Sequence, residues 1–346
     1  MEERPSVSES REYCMEAIQD VSRTFALGIN RLKGDIQDYI CVSYLLCRIP
    51  DTIEDDNRIE ADKKEDLLKK YADIVEEPSY GGINSFLEKA RPYRKDGVYW
   101  DLLNNTEKVF TAYKEFPSDI KENVSSPIQE MVEGMSSIVE RHKDGIRLQD
   151  MGEFKEYCHY VAGTVGELLT GIFKEVEGLN RETVKELEEH SEGFGQALQS
   201  VNIIKDVYPD FHVENNVYLP EEVLEENGSS LEELEEVLEE VKSPSQGLKD
   251  SMDVMIDYAT IKLEDAGEYI ENLPLEAINA RDFTIVPYLL ALGTLREARN
   301  NMDVFRQEDV KIGKSEVFRI LGTVDKAVES NEEFEKIAGE VKRGDI

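Results

Sequence analysis

Two acidic stretches carry residues whose types and spacing suit metal-assisted chemistry. The first reads Tyr44-Leu45-Leu46-Cys47-Arg48-Ile49-Pro50-Asp51-Thr52-Ile53-Glu54-Asp55-Asp56 and follows an apolar segment, so its helix is expected to be largely buried. At about 100° per residue, Asp51 and Asp55 fall roughly 40° apart on one helical face, with Arg48 and Tyr44 on or near it. The second reads Gln199-Ser200-Val201-Asn202-Ile203-Ile204-Lys205-Asp206-Val207-Tyr208-Pro209-Asp210, where Asn202, Asp206 and Asp210 step by four and Gln199 lies within their arc. Like charges one turn apart repel, so repeating the pattern on two apolar helices makes sense when a cation sits between them. Oxygen-only ligands suit a hard ion. Mg2+ takes one or two carboxylates and completes its shell with water and substrate phosphates. Facing pairs would hold Mg2+ ions around a diphosphate, and the metal reverses the local sign so that an acidic protein can bind an anionic substrate. One D-x-x-x-D arises by chance in any acidic chain, whereas two with apolar flanks and Arg, Asn and Gln companions are far more specific.

Between them lies Tyr157-Cys158-His159-Tyr160-Val161-Ala162-Gly163-Thr164-Val165-Gly166-Glu167. Ala162, Gly163 and Gly166 thin one side of a helix, which allows either close packing or a channel for an apolar chain. A helical Gly costs about 1 kcal/mol against Ala, so two within four residues need one of these reasons. Gly163 and Gly166 are no dinucleotide fingerprint, and Gly313-Lys314-Ser315 is no P-loop, because position 308 is Glu.

The elements that must position these residues are helical throughout. Periodic segments run roughly over 10–31, 35–56, 61–76, 99–114, 127–143, 151–177, 181–210, 246–272, 281–304 and 314–339. Ser126-Pro127-Ile128-Gln129 has the capping pattern of a helix start, and so has Ser230-Leu231-Glu232-Glu233, followed by a stripe of Leu231, Leu234, Leu238 and Val241. Breakers such as Pro78-Ser79-Tyr80-Gly81-Gly82 and Asn227-Gly228 mark connections. No hairpin signature and no repeat of 20–50 residues is found. The expected fold class is all-α, one domain over 1–346 with flexible tails at 1–9 and 340–346.

The 346 residues suffice for a sizeable core. With 75 Asp+Glu against 40 Lys+Arg, the net charge of −35 argues against nucleic acid as a partner. The excess on polar helix faces suggests a salt-rich, halophilic cytoplasm, in which case the melting temperature rises markedly from 0.1 M to molar salt. Cys14, Cys41, Cys47 and Cys158 form no C-x-x-C pair and read as reduced and buried. Four histidines without H-E-x-x-H exclude a zinc hydrolase pattern. With no basic, apolar N-terminal start and no long apolar run, the chain reads as a cytoplasmic protein.

Val21-Ser22-Arg23-Thr24-Phe25-Ala26, the Tyr44–Asp56 block, Tyr157–Gly166, and Gln199–Asp210 with Asn216-Val217-Tyr218-Leu219-Pro220 resemble, in order, the hallmarks of squalene and phytoene synthases. The resemblance covers roughly residues 10–325. Asp51–Asp56, Tyr157–Gly163, Phe283–Leu295, Val304-Phe305 and Val310-Lys311-Ile312-Gly313-Lys314 look most like the squalene synthase branch. The resemblance implies a prenyltransferase of the isoprenoid-synthase fold that condenses two farnesyl diphosphates to presqualene diphosphate and reduces it with NADPH to squalene. It implies Mg2+ on Asp51, Asp55, Asp206 and Asp210, with Asn202 completing the shell. Tyr157 matches a family tyrosine that assists proton transfer, with Tyr44 and Arg48 beside it. Ser22, Arg23, Arg48 and Tyr218 match diphosphate contacts, Gln199 and Lys205 would join them, Phe25, Val161, Ala162 and Phe283 would line the central cavity, and Lys311 and Lys314 are the candidates for the NADPH phosphates.

By residue type alone, Tyr44 and Tyr157 fit ordinary half-buried tyrosines, and Phe25 and Phe283 ordinary core, better than any role in a site. Arg23 and Arg48 fit structural ion pairs, and Lys311 and Lys314 fit plain surface lysines. Lys205 stands where relatives often carry Arg, replacing a bidentate fork with a point charge. Pro50 and Pro209 each remove a helical N–H next to a motif, so local bends are expected. Eukaryotic squalene synthases end in a membrane anchor. None is read at Lys342-Arg343-Gly344-Asp345-Ile346, so membrane contact is expected to be peripheral only; separately, a monomer is the expected state. The rival readings are a dehydrosqualene or phytoene synthase, which lacks the hydride step, and a non-catalytic helical binding protein.

Overall fold

Helix-forming stretches become helices along nearly the whole chain, whose computed structural model describes residues 4–306 and 310–346. Among these residues there is no strand, and the one β-type pairing is an isolated bridge between Arg147 and Val217. The chain divides into two compact units, Met1–Lys143 with Glu167–Val184, and Asp144–Gly166 with Lys185–Ile346.

The first unit contains α1 (Val7–Val21), α2 (Arg23–Ile29), α3 (Asp35–Glu54), α4 (Ala61–Glu76), α5 (Tyr80–Ala90), α6 (Val98–Asn104), α7 (Thr106–Tyr113) and α8 (Ser118–Arg141). After α9 (Met151–Cys158) of the second unit, the larger part of α10 (Thr164–Val176) belongs to the first. Helix α3 is apolar on several sides and packs against α1, α4, α7 and α8, burying Ile40, Leu45, Leu46, Ile49 and Ile53. Pro50 lies inside it and has no N–H to give Leu46. The Tyr71 hydroxyl on α4 donates to that orphaned Leu46 carbonyl at 2.6 Å, so the helix continues to Glu54. Removing this hydroxyl in Tyr71→Phe leaves a buried carbonyl without a donor and should lower stability by about 1–3 kcal/mol. Urea unfolding checks this, and an unchanged midpoint would sink it.

The second unit adds α11 (Arg181–Pro209), α12 (Glu221–Glu226), α13 (Leu231–Leu238), α14 (Gln246–Asn272), α15 (Ile278–Ala298), α16 (Lys314–Leu321), α17 (Val324–Glu329) and α18 (Asn331–Arg343). Helix α15 is buried along most of its length and packs on α14, α17 and α18. Arg281, fully buried, is stitched to carbonyls instead of a carboxylate: Nη1 donates to Ile270 and Leu273 at 2.9 and 3.0 Å, and Nε to Val328 at 3.2 Å. A cation there caps the end of α14 and complements its dipole.

Several expected boundaries move, each for a local reason. The 10–31 segment breaks at Ser22, which turns extended and caps α2 by accepting the Phe25 N–H. The helix expected from 127 starts at Ser118 and runs through Pro127, so the Ser126 pattern is interior. Pro78–Gly82, read as a connection, is the start of α5: Ser79 accepts the Gly82 N–H, and Ile83, Phe86 and Ala90 are buried. The 99–114 segment divides at Asn105, 281–304 ends at Ala298, and 314–339 is three helices. Helix α13 starts at its expected Ser230 cap but ends at Leu238; Glu240 takes a positive φ of 60°, and Val241 leaves the stripe at 68% exposure. The regions read as tails are partly helical, with α1 opening on a Ser6–Glu9 capping box and α18 reaching Arg343, while residues 1–3 lie outside the described residues. All four cysteines are free and buried. Among the described residues no helix is long and apolar enough to cross a membrane.

Candidate active site

In the first unit, α3 brings Tyr44, Arg48 and Asp51 onto one side, and Asp55 caps its end. Arg48 clamps both carboxylates, with Nη1 at 3.2 Å from Asp51 Oδ2 and Nη2 at 3.6 Å from Asp55 Oδ2. The spacing argument for a shared face therefore holds within this unit. Tyr99, exposed on α6, lies under the guanidinium at 4.4 Å. The Phe25 and Tyr44 rings sit 5.0 Å apart. Burial raises the Tyr44 phenol above its ordinary value, while Arg48 and the Ser22 hydroxyl pull it down. Arg23 is exposed at the first residue of α2 and forms no ion pair among the described residues.

This cluster holds more carboxyl groups than its cation can satisfy. Asp51 keeps 25% of its side-chain surface open, yet burial, opposed by Arg48 and reinforced by Asp55, pushes its carboxyl up to about 7. Burial, with Asp55 next, holds Glu54 well above the usual carboxylate range, and its Oε1 is buried without a partner. Arg48 Nε is likewise buried without an acceptor. A hard cation would relieve the carboxylates and an oxyanion would satisfy the guanidinium, so these residues fit Mg2+ with a phosphate group. Asp56, the last acid of the motif, is spoken for. Burial would raise it, but Arg58 (2.8 Å), Trp100 Nε1 (2.9 Å) and Lys95 (3.2 Å) outweigh burial and hold it at about 2. It anchors the end of α3 to α6.

In the second unit, Gln199, Asn202, Lys205 and Asp206 occupy the last turns of α11. Lys205 pairs with its neighbour Asp206. The bend expected at Pro209 is a π-helical turn over Asp210–Glu214 that opens on Asp210. Pro209 supplies no N–H to the regular ladder, and such one-turn bulges concentrate at functional sites. A second π turn, His159–Gly163, begins two residues after Tyr157 and carries the half-buried Val161 and Ala162. It is fixed by polar contacts, His159 Nδ1 to Glu192 Oε1 at 3.1 Å and Gln196 Nε2 to the same oxygen at 2.7 Å. Close packing accounts for the glycines here: a Cβ at Gly166 would lie 1.9 Å from the Ser191 carbonyl oxygen, and one at Gly195 1.9 Å from that of Ala162. Tyr157 is buried and stacks on Tyr218 with centroids 4.6 Å apart, and the Tyr218 hydroxyl accepts from Asn216 at 3.0 Å. Phe283 is buried within α15. Lys314 is exposed at the first residue of α16 and Lys311 is exposed three residues before it, on either side of the Gly313 N-cap, which has no side chain to cap with.

Sequence reasoning missed Glu54, Tyr99, Trp100 and both π turns. The acidic run signalled Glu54, but its orphaned oxygen follows from tertiary burial. Among the described residues, no three His, Cys, Asp or Glu side chains form a ready metal cage.

Residues 18–316 match the family model described as Squalene/phytoene synthase. The chain is 30% identical over 322 residues to the squalene synthase of Schizosaccharomyces pombe, covering 92% of this chain and 66% of that protein. It is 30% identical over 321 residues to that of Rattus norvegicus (92% and 71%), and 29% over 297 residues to that of Dictyostelium discoideum (86% and 66%). The matched region thus spans about two thirds of the length of these relatives. Among solved structures, TcSQS with a bound ligand superposes with a TM-score of 0.77 at 24% identity, covering 97% of this chain and 98% of the other. A dehydrosqualene synthase with a bound ligand gives 0.57 at 18% identity (93% and 98%). These likenesses carry the all-α fold, and the family model and the curated relatives carry the kinship. The chain belongs to the squalene/phytoene synthase family.

Proposed function

We propose that the chain is a squalene synthase, its two units acting as one catalytic domain. It would condense two farnesyl diphosphates to presqualene diphosphate and reduce that product to squalene. The observation that carries this reading is the match to squalene synthases over 86–92% of the chain. The carboxyl-rich cluster clamped by Arg48 supports it.

Asp51 and Asp55 would act with Asp206, Asp210 and Asn202 to hold Mg2+, which supplies the electrophilic pull on the departing diphosphate. Arg48, with Arg23, Ser22, Gln199, Lys205 and Tyr218, would hold the diphosphate oxygens. As the donor's C–O bond breaks, both electrons leave with the diphosphate. The resulting allylic cation takes the acceptor's double-bond electrons, and loss of one proton closes the cyclopropane of presqualene diphosphate. Tyr157 would assist that proton transfer, its ring fixed by Tyr218 and its backbone by the adjoining π turn; Tyr44 would stand by. Phe25, Val161, Ala162 and Phe283 would exclude water from the cation, with aromatic faces turned to its charge. Presqualene diphosphate would then lose its own diphosphate, both C–O electrons leaving with it, and after rearrangement the second cation would take a hydride from NADPH, whose phosphates Lys311 and Lys314 would hold. The enzyme would work as a monomer in the cytoplasm, meeting the membrane only peripherally to exchange substrate and product.

The test is incubation with farnesyl diphosphate and Mg2+, with and without NADPH. Squalene that forms only with NADPH is expected. A conjugated triene formed regardless of NADPH, or a preference for geranylgeranyl diphosphate, would replace this reading with a dehydrosqualene or phytoene synthase. No diphosphate release at all would leave a binding protein.

A further inference from the structure

A groove of about 420 Å3 lies within the second unit, lined by α14, α15 and α18. This is the size of a small-molecule site. Leu263, Tyr288, Leu292 and Leu295 are buried and form its floor. Residues 288, 292 and 295 make one row on α15, Arg299 follows just past its end, and Phe283 lies roughly 150° around the helix from that row. The groove is therefore on the opposite side of α15 from the aromatic expected to face the reaction.

Three cations and one carboxylate, Glu264, are among the lining residues of a chain whose net charge is −35. Arg296 is committed, with Nη1 on the Val341 carbonyl at 2.8 Å and Nη2 on Glu316 at 2.8 Å. Arg299 holds only surface partners, Thr260 Oγ1 at 3.2 Å and Asp257 at 3.6 Å, a pair too exposed to be strong. Lys342 is exposed and forms no ion pair among the described residues. These two exchangeable cations stand above an apolar floor.

The third wall supplies an independent observation. A glycine inside a helix is destabilising relative to alanine, and Gly166, Gly195 and Gly293 each have a close neighbour that explains them. Gly339, inside α18, has none: a Cβ there would meet only the tip of Arg343 at 3.2 Å. With Ala338 it keeps the groove wide.

We propose that this groove binds a single-tailed anionic amphiphile without metal, its hydrocarbon tail on the leucines and Tyr288 and its phosphate or carboxylate head between Arg299 and Lys342. Calorimetric titration of the full chain in EDTA with dodecyl phosphate, kept below its micellar concentration, tests it. One saturable site is expected. Gly339→Leu, which fills the space from α18, and Leu292→Trp, which fills it from α15, should each weaken binding at least tenfold at unchanged helical content. Arg299→Gln with Lys342→Gln should do the same. Asp51→Asn with Asp206→Asn should leave the affinity unchanged, which keeps this site separate from the proposed reaction centre. Farnesyl monophosphate and lysophosphatidate then distinguish an isoprenoid from an acyl source, the tighter ligand naming it. Binding at micellar concentrations only, affinity indifferent to both filling variants, or a self-associated chain with the groove covered would overturn the proposal.

Discussion

Replacing Asp51 or Asp206 with asparagine is expected to slow diphosphate release from farnesyl diphosphate by about 1,000-fold. Lewis-acid stabilisation of the leaving group is worth several kcal/mol, and each 1.36 kcal/mol is a factor of ten. Asparagine keeps the shape of the carboxylate but removes the charge that, in the proposed site, would draw Mg2+. Of its two carboxylate contacts, Arg48 would then keep the one with Asp55 at 3.6 Å. Single-turnover release measured beside circular dichroism is the check: a loss of less than tenfold with the fold intact would place the metal elsewhere.

The same Asp51→Asn change should make the metal-free protein more stable. The Asp51 carboxyl is pushed from 3.8 to about 7, so the folded chain holds its proton more tightly than the unfolded one. Stability from this group is fully present below about 4, where both states are protonated, and is lost as pH rises through about 7. At 1.36 kcal/mol per unit the shift corresponds to at most about 4 kcal/mol. Because a quarter of the side chain meets water, we expect roughly 1–3 kcal/mol. In EDTA at pH 8 the variant should therefore unfold at higher urea than the wild type, and the gap should close towards pH 4. Mg2+ with inorganic diphosphate should reverse the order, because only the wild type can offer the carboxylate. A variant less stable than the wild type at pH 8 would mean that the Arg48 contact outweighs burial. Mg2+ affinity should also rise with pH towards 7, as the metal displaces a proton.

The features legible in the sequence are those written in local periodicity. Helices α3, α4, α11 and α14 lie where the apolar spacing puts them, and the Ser230 cap starts α13 as its side chain requires. The shared face of Asp51, Asp55 and Arg48 follows from 3.6-residue geometry alone. What escaped depends on distant partners. Pro50 reads as a kink, yet Tyr71, twenty-one positions away, supplies the donor that keeps α3 continuous. Gly81 and Gly82 read as a loop, but burial of Ile83 and Phe86 draws them into α5. Asp56 closes the acidic run with no role legible in the sequence, and its anchoring by Trp100 and Lys95 comes from residues some forty positions away. The π turns over His159–Gly163 and Asp210–Glu214 escaped for the same reason: the first is held by Glu192 from a distant stretch, and the second follows Pro209, which reads only as a bend.

The most direct test of the central claim is a double-mutant cycle on Mg2+-dependent binding of inorganic diphosphate, followed by calorimetry in the wild type, Asp51→Asn, Asp206→Asn and the double variant. If both motifs grip one diphosphate through shared metal ions, each single change removes most of the affinity and the second adds little, giving a coupling above about 1 kcal/mol. Losses that simply add would mean that the two motifs bind separately, and would contradict the account.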